Sequence, residues 1–175
     1  GAKVTLISGP SNLQPPEVDS FIPIQTTQEM LEAVMKHINR ASILLMAAAP
    51  LDFEPEITYA TKIDKHSIKS IPLKLCPDIL KKVSMLKERP FTVGFAAEAG
   101  LNVDRAKLKF QDKRLDMIVL NDIMQQDRGM ESDANEVMLI YKKRNNFFEE
   151  QTSLLSKDEI ASIILSKILE LKLAK

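Results

Sequence analysis

The chain has 175 residues, enough for one domain with a real hydrophobic core, and its makeup, 45% hydrophobic and 27% charged, is that of an ordinary globular protein. Lys and Arg number 24, and so do Asp and Glu, a balance that removes the electrostatic case for broad nucleic-acid or membrane-surface binding but leaves room for a local basic pocket. One cysteine cannot build a disulfide framework, two histidines beside it make a poor structural zinc inventory, and no apolar run approaches the roughly 20 residues of a membrane helix.

Residues 4–8 (VTLIS) are β-branched and apolar, close on Gly9-Pro10, and read as a buried strand. Residues 10–16 carry prolines and form a loop; residues 21–24 form a short strand. Thr26-Thr27-Gln28-Glu29 offers a capping box, behind which Met30, Leu31, Val34, Met35 and Ile38 recur at helical spacing. Residues 43–47 (ILLMA) are a second continuous apolar strand, followed by a polar, proline-containing loop through Lys69. Residues 78–87 predict a helix with Ile79, Leu80, Val83 and Leu86 on one face. Residues 91–96 (FTVGFA) are a third strand, 104–114 a basic helix and 117–120 (MIVL) a fourth strand. Residues 136–141 are strand-like, 142–146 a turn, and Phe147-Phe148 begins a returning strand. Ser156-Lys157-Asp158-Glu159 caps a last helix striped by Ile160, Ile163, Ile164, Ile168 and Leu171.

Continuous apolar strands alternating with amphipathic helices predict an α/β fold, a Rossmann-like three-layer arrangement. It has a mostly parallel sheet, helices on both faces and an antiparallel hairpin near the C-terminus. Such sheets bind ligands beyond the carboxyl ends of their strands, which directs attention to the residues after ILLMA, FTVGFA and MIVL. The five glycines form no dinucleotide fingerprint and no P-loop, and neither a G-x-S-x-G elbow nor HExxH occurs. Nothing suggests an internal repeat or a second domain. With Gly1-Ala2-Lys3 leading straight into strand-like sequence rather than a secretory signal, a cytoplasmic protein is expected.

Several stretches carry a resemblance. Ala48-Ala49-Pro50-Leu51-Asp52-Phe53-Glu54-Pro55 leaves a strand, and Lys62-Ile63-Asp64-Lys65 follows in the loop. Pro77-Asp78-Ile79-Leu80 opens a helix, Gly94-Phe95-Ala96-Ala97-Glu98 ends a strand, and Lys113-Arg114-Leu115-Asp116 precedes MIVLNDI. In this order, with GAKVTLISGP and Ser132-Asp133-Ala134-Asn135, they resemble phosphopantothenoylcysteine synthetase, the synthetase half of a bifunctional bacterial coenzyme A biosynthesis flavoprotein, over nearly the whole chain. The resemblance implies a ligase that activates phosphopantothenate with a nucleoside triphosphate, CTP in bacteria and ATP in eukaryotes, and joins it to cysteine. Mg2+ accompanies the triphosphate, and no FMN is expected on this domain. Implied partners are the three small-molecule substrates, a second copy in a homodimer, and a flavin-dependent decarboxylase domain fused to or working with it; no nucleic acid and no membrane are among them. The exposed sheet edge around residues 136–148 is the expected dimer contact.

Matched position by position, Met46, Ala47, Ala48 and Asp52 fall where the family contacts the nucleotide, although tight packing alone would also account for Ala47-Ala48-Ala49. Lys62 matches the catalytic lysine that opens the family's K-x-K-K run, whose third position here is Asp64; any loop lysine can equally be a solvated one. Pro77, Asp78, Ile79, Leu80 and Phe95 match nucleotide contacts, with Pro77 expected in the first turn of a helix whose free N–H groups face an anion. Lys109 and Lys113, four apart on a helix, match two nucleotide-contacting lysines, against the plainer reading of a solvated basic face with Arg105, Lys107 and Arg114. No metal-ligating residue is assigned.

Cys76, where the family has asparagine, reads as pocket wall: neither His37 nor His66 is placed as its base, and the implied mechanism has no enzyme thioester. The family's domain begins with a further strand, a glycine-rich loop and an asparagine-bearing turn. The single domain of residues 1–175 starts at the family's second strand, so it is expected not to complete the ligation alone. Asp64, Cys76 and Ala99 (threonine in the family) also suit a diverged nucleotide-binding module without catalysis. A Rossmann-like reductase is disfavoured by the absent fingerprint.

Overall fold

A computed structural model of the chain describes residues 1–98, 100–122, 124 and 133–173. Its first half runs β1 (Thr5–Ser8), β2 (Ser20–Pro23), α1 (Thr27–His37), β3 (Ile43–Met46), β4 (Phe53–Pro55), β5 (Leu73–Leu75) and α2 (Ile79–Ser84). The second half runs β6 (Phe91–Glu98), α3 (Val103–Asp112), β7 (Met117–Asp122), β8 (Ala134–Asn135), β9 (Val137–Lys143), β10 (Asn146–Gln151), β11 (Leu155–Ser156) and α4 (Lys157–Leu173).

The central sheet has the order β10-β9-β7-β6-β3. β3, β6 and β7 are mutually parallel; β9 is antiparallel to β7, and β10 returns antiparallel on β9. Period-2 alternation sorts the side chains between two cores. Gly94, Ala96, Ile118, Leu120 and Ile140 turn to one face, where α1, α2 and α3 bring Val34, Val83 and Phe110. Phe91, Val93, Met117, Val119, Leu139 and Tyr141 turn to the other, covered by Ile160, Ile164, Ile168 and Leu171 of α4. This is the expected α/β arrangement with helices on both faces. Gly94 serves close packing here: a Cβ on it would lie 2.7 Å from Leu115 Cδ1. The helix starts follow the expected chemistry. Thr26 accepts the Glu29 N–H at 3.1 Å, and Ser156 and Glu159 exchange hydrogen bonds ahead of α4.

Several local readings are corrected. Residues 4–8 form a strand, but it is exposed to half-buried rather than buried. It pairs with β2 in a separate parallel ribbon, from which Ile7 of β1 and Ile22 of β2 pack against the core. β3 stops at Met46 rather than Ala47 and exposes Leu45, because it is the last strand of its sheet. Two three-residue strands, β4 and β5, pair within and beyond the expected loop, forming an arm outside the central sheet. The second helix is six residues long, ending at Ser84 instead of Lys87. The turn expected over 142–146 narrows to Arg144 and Asn145, both with positive φ (49° and 69°), as a two-residue hairpin turn requires. Among the described residues no helix is long and apolar enough to cross a membrane. Ala99, Ile123 and Ser132, which belong to the quoted motifs and departures, lie outside the described residues.

Candidate functional site

The strands end in steps. β3 pairs with β6 only as far as Met46 opposite Gly94, while β6 continues beside β7 to Glu98 opposite Asp122. The β3 side of residues 95–98 therefore has no strand neighbour, and Ala47, Ala48 and Ala49 leave the sheet as exposed, irregular chain at that notch. Phe95 is 40% exposed, although Val93 two residues earlier on the same face is fully buried. An exposed aromatic face beside small side chains and free backbone is a surface on which a planar ring can lie. Met46, Ile79 and Leu80 are instead buried in the core, so only their backbone can face a ligand.

Carboxylates already hold the cations expected at this end. Glu98, its side chain 7% exposed, takes Lys109 at 2.5 Å and Arg105 at 3.1 Å. Lys113 is the C-cap of α3 rather than a residue within it, and pairs with Asp78 at 3.2 Å. Lys109 and Lys113 thus belong to two separate ion pairs. Asp78 has a second duty. Its Oδ1 accepts the Lys81 N–H at 3.0 Å as the N-cap of α2, so Pro77 lies outside the helix and not in its first turn. A carboxylate already occupies the helix start where an anion site was expected.

Cys76 has a structural place. Its N–H donates to the Asp52 carbonyl at 2.9 Å, one step beyond the Phe53–Leu75 pair, closing the base of the arm and holding Asp52 beside the Pro77-Asp78 segment. The thiol is half-buried and free. Lys62 lies exposed in the connection between β4 and β5, and among the described residues no hydrogen bond or ion pair joins it to the strand ends. Asp64 builds a local turn there: its Oδ1 accepts the His66 N–H at 2.9 Å and its carbonyl takes both the N–H and the hydroxyl of Ser67. The arm exposes Phe53, Ile57, Tyr59, Ile71, Leu73 and Leu75. The sheet edge expected around residues 136–148 is β10, whose Phe148 stacks on Tyr141.

Three residues to which the sequence assigns no role stand at the same rim. Glu98 is the buried anchor of Lys109. Asp122 Oδ1 accepts the N–H groups of Gly100 and Met124, each at 2.9 Å. Asn121 Oδ1 is, among the described residues, the buried side-chain oxygen without a hydrogen-bond partner. Such an acceptor at a strand's carboxyl end is a group that a ligand or water can satisfy. A polar pair just after an apolar strand was the available signal, but nothing in it tells which atom goes unpaired.

Residues 1–171 match the family model described as the DNA/pantothenate metabolism flavoprotein C-terminal domain. The chain is 37% identical over 174 residues to the coenzyme A biosynthesis bifunctional protein CoaBC of Vibrio cholerae, which covers 97% of this chain and 43% of that protein. It is 35% identical over 170 residues to the Bacillus subtilis protein of the same name, covering 96% and 41%. The chain thus spans less than half the length of these relatives. A crystal structure of the C-terminal domain of a CoaBC protein matches with a TM-score of 0.76 at 30% identity, over 97% of this chain and 75% of that one.

Proposed function

The chain belongs to the DNA/pantothenate metabolism flavoprotein C-terminal domain family, and on that premise we propose that it carries the phosphopantothenate–cysteine ligase step of coenzyme A biosynthesis. In this reading the phosphopantothenate carboxylate attacks the α-phosphorus of CTP, forming an acyl-cytidylate as pyrophosphate leaves. The cysteine amine then attacks the acyl carbon, cytidine monophosphate leaves with the bond electrons, the amine gives up a proton, and an amide remains.

The observation that carries the reading is the notch beside residues 95–98, with exposed Phe95, free backbone at Ala47 and Ala48, and Lys109 within reach of the same rim. Cytosine stacks on Phe95 and meets the backbone of residues 46–48, while Asp52 and the 77–80 segment border the ribose and phosphates. Lys109 and Lys113 exchange their carboxylates for phosphate oxygens, and Lys62 swings in on its exposed loop to offset the charge that develops as the acyl-nucleotide forms. Among the described residues no cluster of three or more His, Cys, Asp or Glu is placed to hold a metal ion. Mg2+ arrives on the triphosphate, whose charge it neutralises. CTP is preferred over ATP, no FMN binds, and the decarboxylase half is a separate domain. The protein works in the cytoplasm as a homodimer, in contact through the exposed sheet edge around residues 136–148, where β10 is the outermost strand.

The test is calorimetric titration of the chain with CTP, and separately ATP, in the presence of Mg2+. Saturable CTP binding that K62A weakens and C76S leaves intact is expected. Binding of neither nucleotide, or a loss in C76S as large as in K62A, would overturn the assignment of the site. A nucleotide-binding module without catalysis is the second reading. Asp64 favours it, since this residue builds a turn where the family has a lysine. Turnover by a chain extended at its N-terminus excludes it.

A further inference from the structure

The amino ends of the same three parallel strands border a second concavity, an open cleft of about 700 Å3. Its walls are the segments that lead into the strands: residues 38–42 before β3, 86–91 before β6, and Arg114 with Asp116 before β7. Lys172, in the last turn of α4, completes it.

The charges here are unequal in a chain whose net charge is zero. Lys87, Arg89, Arg114 and Lys172 face Glu88 and Asp116. Asp116 is committed: its buried carboxylate takes Arg89 Nη1 at 2.5 Å and the Thr92 N–H at 2.8 Å. With Arg89 paired to Asp116, the described lining residues leave Lys87, Arg114 and Lys172 against the exposed Glu88. Two of the three are held in place by neutral acceptors. Arg114, at a positive φ of 48°, donates from Nη1 to the Ser84 carbonyl at 2.9 Å, and Lys172 Nζ donates to the Ser42 carbonyl at 3.1 Å. Each keeps further N–H donors that these bonds do not use. The cleft thus presents oriented donors with uncompensated positive charge, in a volume inside the range of roughly 300–1,000 Å3 typical of small-molecule sites.

We propose that this cleft is a second ligand site, for a small molecule carrying two or more phosphate groups, held by Lys87, Arg114 and Lys172. It is distinct from the notch. Phe91 lines the cleft and Glu98 ends the same strand at the opposite rim; seven steps of roughly 3.3 Å put them about 23 Å apart. A triphosphate in the notch does not reach the cleft, so both sites can be filled together. The cleft ligand would tie the loops before β3, β6 and β7 to the end of α4.

The probe is inorganic pyrophosphate, titrated without metal into the isotope-labelled chain while backbone amide signals are followed. Saturable shifts at Ser42, Arg89, Phe91 and Arg114 are expected, with an affinity separate from that of any shifts that pyrophosphate in the notch causes at Phe95, Glu98 and Lys109. The K87Q/R114Q/K172Q variant should weaken binding at least about tenfold, since it removes the three cations that face Glu88. K87R/K172R, altered at two of the same positions with the charge kept, should retain binding, as should K109Q/K113Q at the other end of the sheet. No saturable shift, equal affinity in the charge-removing variant, loss in K87R/K172R with the fold intact, or shifts confined to the carboxyl ends would each overturn the proposal.

Discussion

Replacing Glu98 by glutamine should loosen the fold and tighten nucleotide binding at once. Glu98 ends β6 with its side chain 7% exposed and joins Lys109 and Arg105, whose side chains are 36% and 63% exposed. The Arg105 pair lies largely in water and is worth about 0–1 kcal/mol. The Lys109 pair has one buried end and contributes roughly 1–2 kcal/mol, partly offset because glutamine costs less to bury than a carboxylate. A net loss of about 1.5 kcal/mol follows. At about 2–4 °C per kcal/mol for a chain of this size, the melting temperature should fall by about 3–6 °C. Scanning calorimetry measures this, and a cycle with K109M should give a coupling of about 1 kcal/mol. With its carboxylate partner neutral, Lys109 is free for phosphate, so calorimetric titration should show E98Q binding CTP more tightly than the unaltered chain. An unchanged melting temperature, or weaker CTP binding by a folded E98Q, would refute the idea that Glu98 holds Lys109 in reserve.

G94A should destabilise by about 1–2 kcal/mol, because its new methyl would sit 2.7 Å from Leu115 Cδ1 in a buried layer. In denaturant titrations G94A/L115A should lose less than the sum of its single variants; strict additivity would mean that the two do not collide. Acid should unfold the protein through the cluster that joins α4 to β9 and β10. Hydrogen bonds from Lys143 and then Lys167 hold Glu170 at about 2, down from 4.5, and the Tyr141 hydroxyl is the main cause of the lowered value at Glu150. Both are depressed in the folded state, so their contribution is present above about 4.5 and is lost as the pH falls towards 2. Thermal melts should therefore be flat in pH from above that window through neutrality and decline within it. E150Q/E170Q should melt lower near neutrality and show a shallower decline; an equal slope would assign the acid transition to other groups.

The local patterns determine much of this fold by themselves. Residues 117–120 are apolar without a break, so they must be covered on both sides. The stripe from Ile160 to Leu171 has one face to hide, and a helix lying on a sheet is the arrangement that removes both from water. Capping residues at Thr26 and Ser156 mark where two helices begin, because the free N–H groups of a first turn accept few substitutes for a nearby oxygen. The rule that parallel sheets open at their strands' carboxyl ends then directs attention to the residues from Ala48, Ala97 and Asn121 onward before any coordinate is known.

Tertiary structure alone decides the partners. β4 and β5 are three residues each, too short to show a period, and they exist because residues 53–55 meet 73–75 across the chain. Residues 4–8 and 43–46 are as apolar as a central strand, yet one lies in a separate ribbon and the other at a sheet edge, since composition does not tell which flank finds a neighbour. The same holds for charge. Lys109, Lys113 and Arg114 look alike on a basic segment, but the fold gives the first to Glu98, the second to Asp78 and the third to a backbone carbonyl. Burial is a property of a residue and its near neighbours, and so leaves a local trace. Pairing depends on where a distant stretch of chain comes to rest, and no local pattern records that.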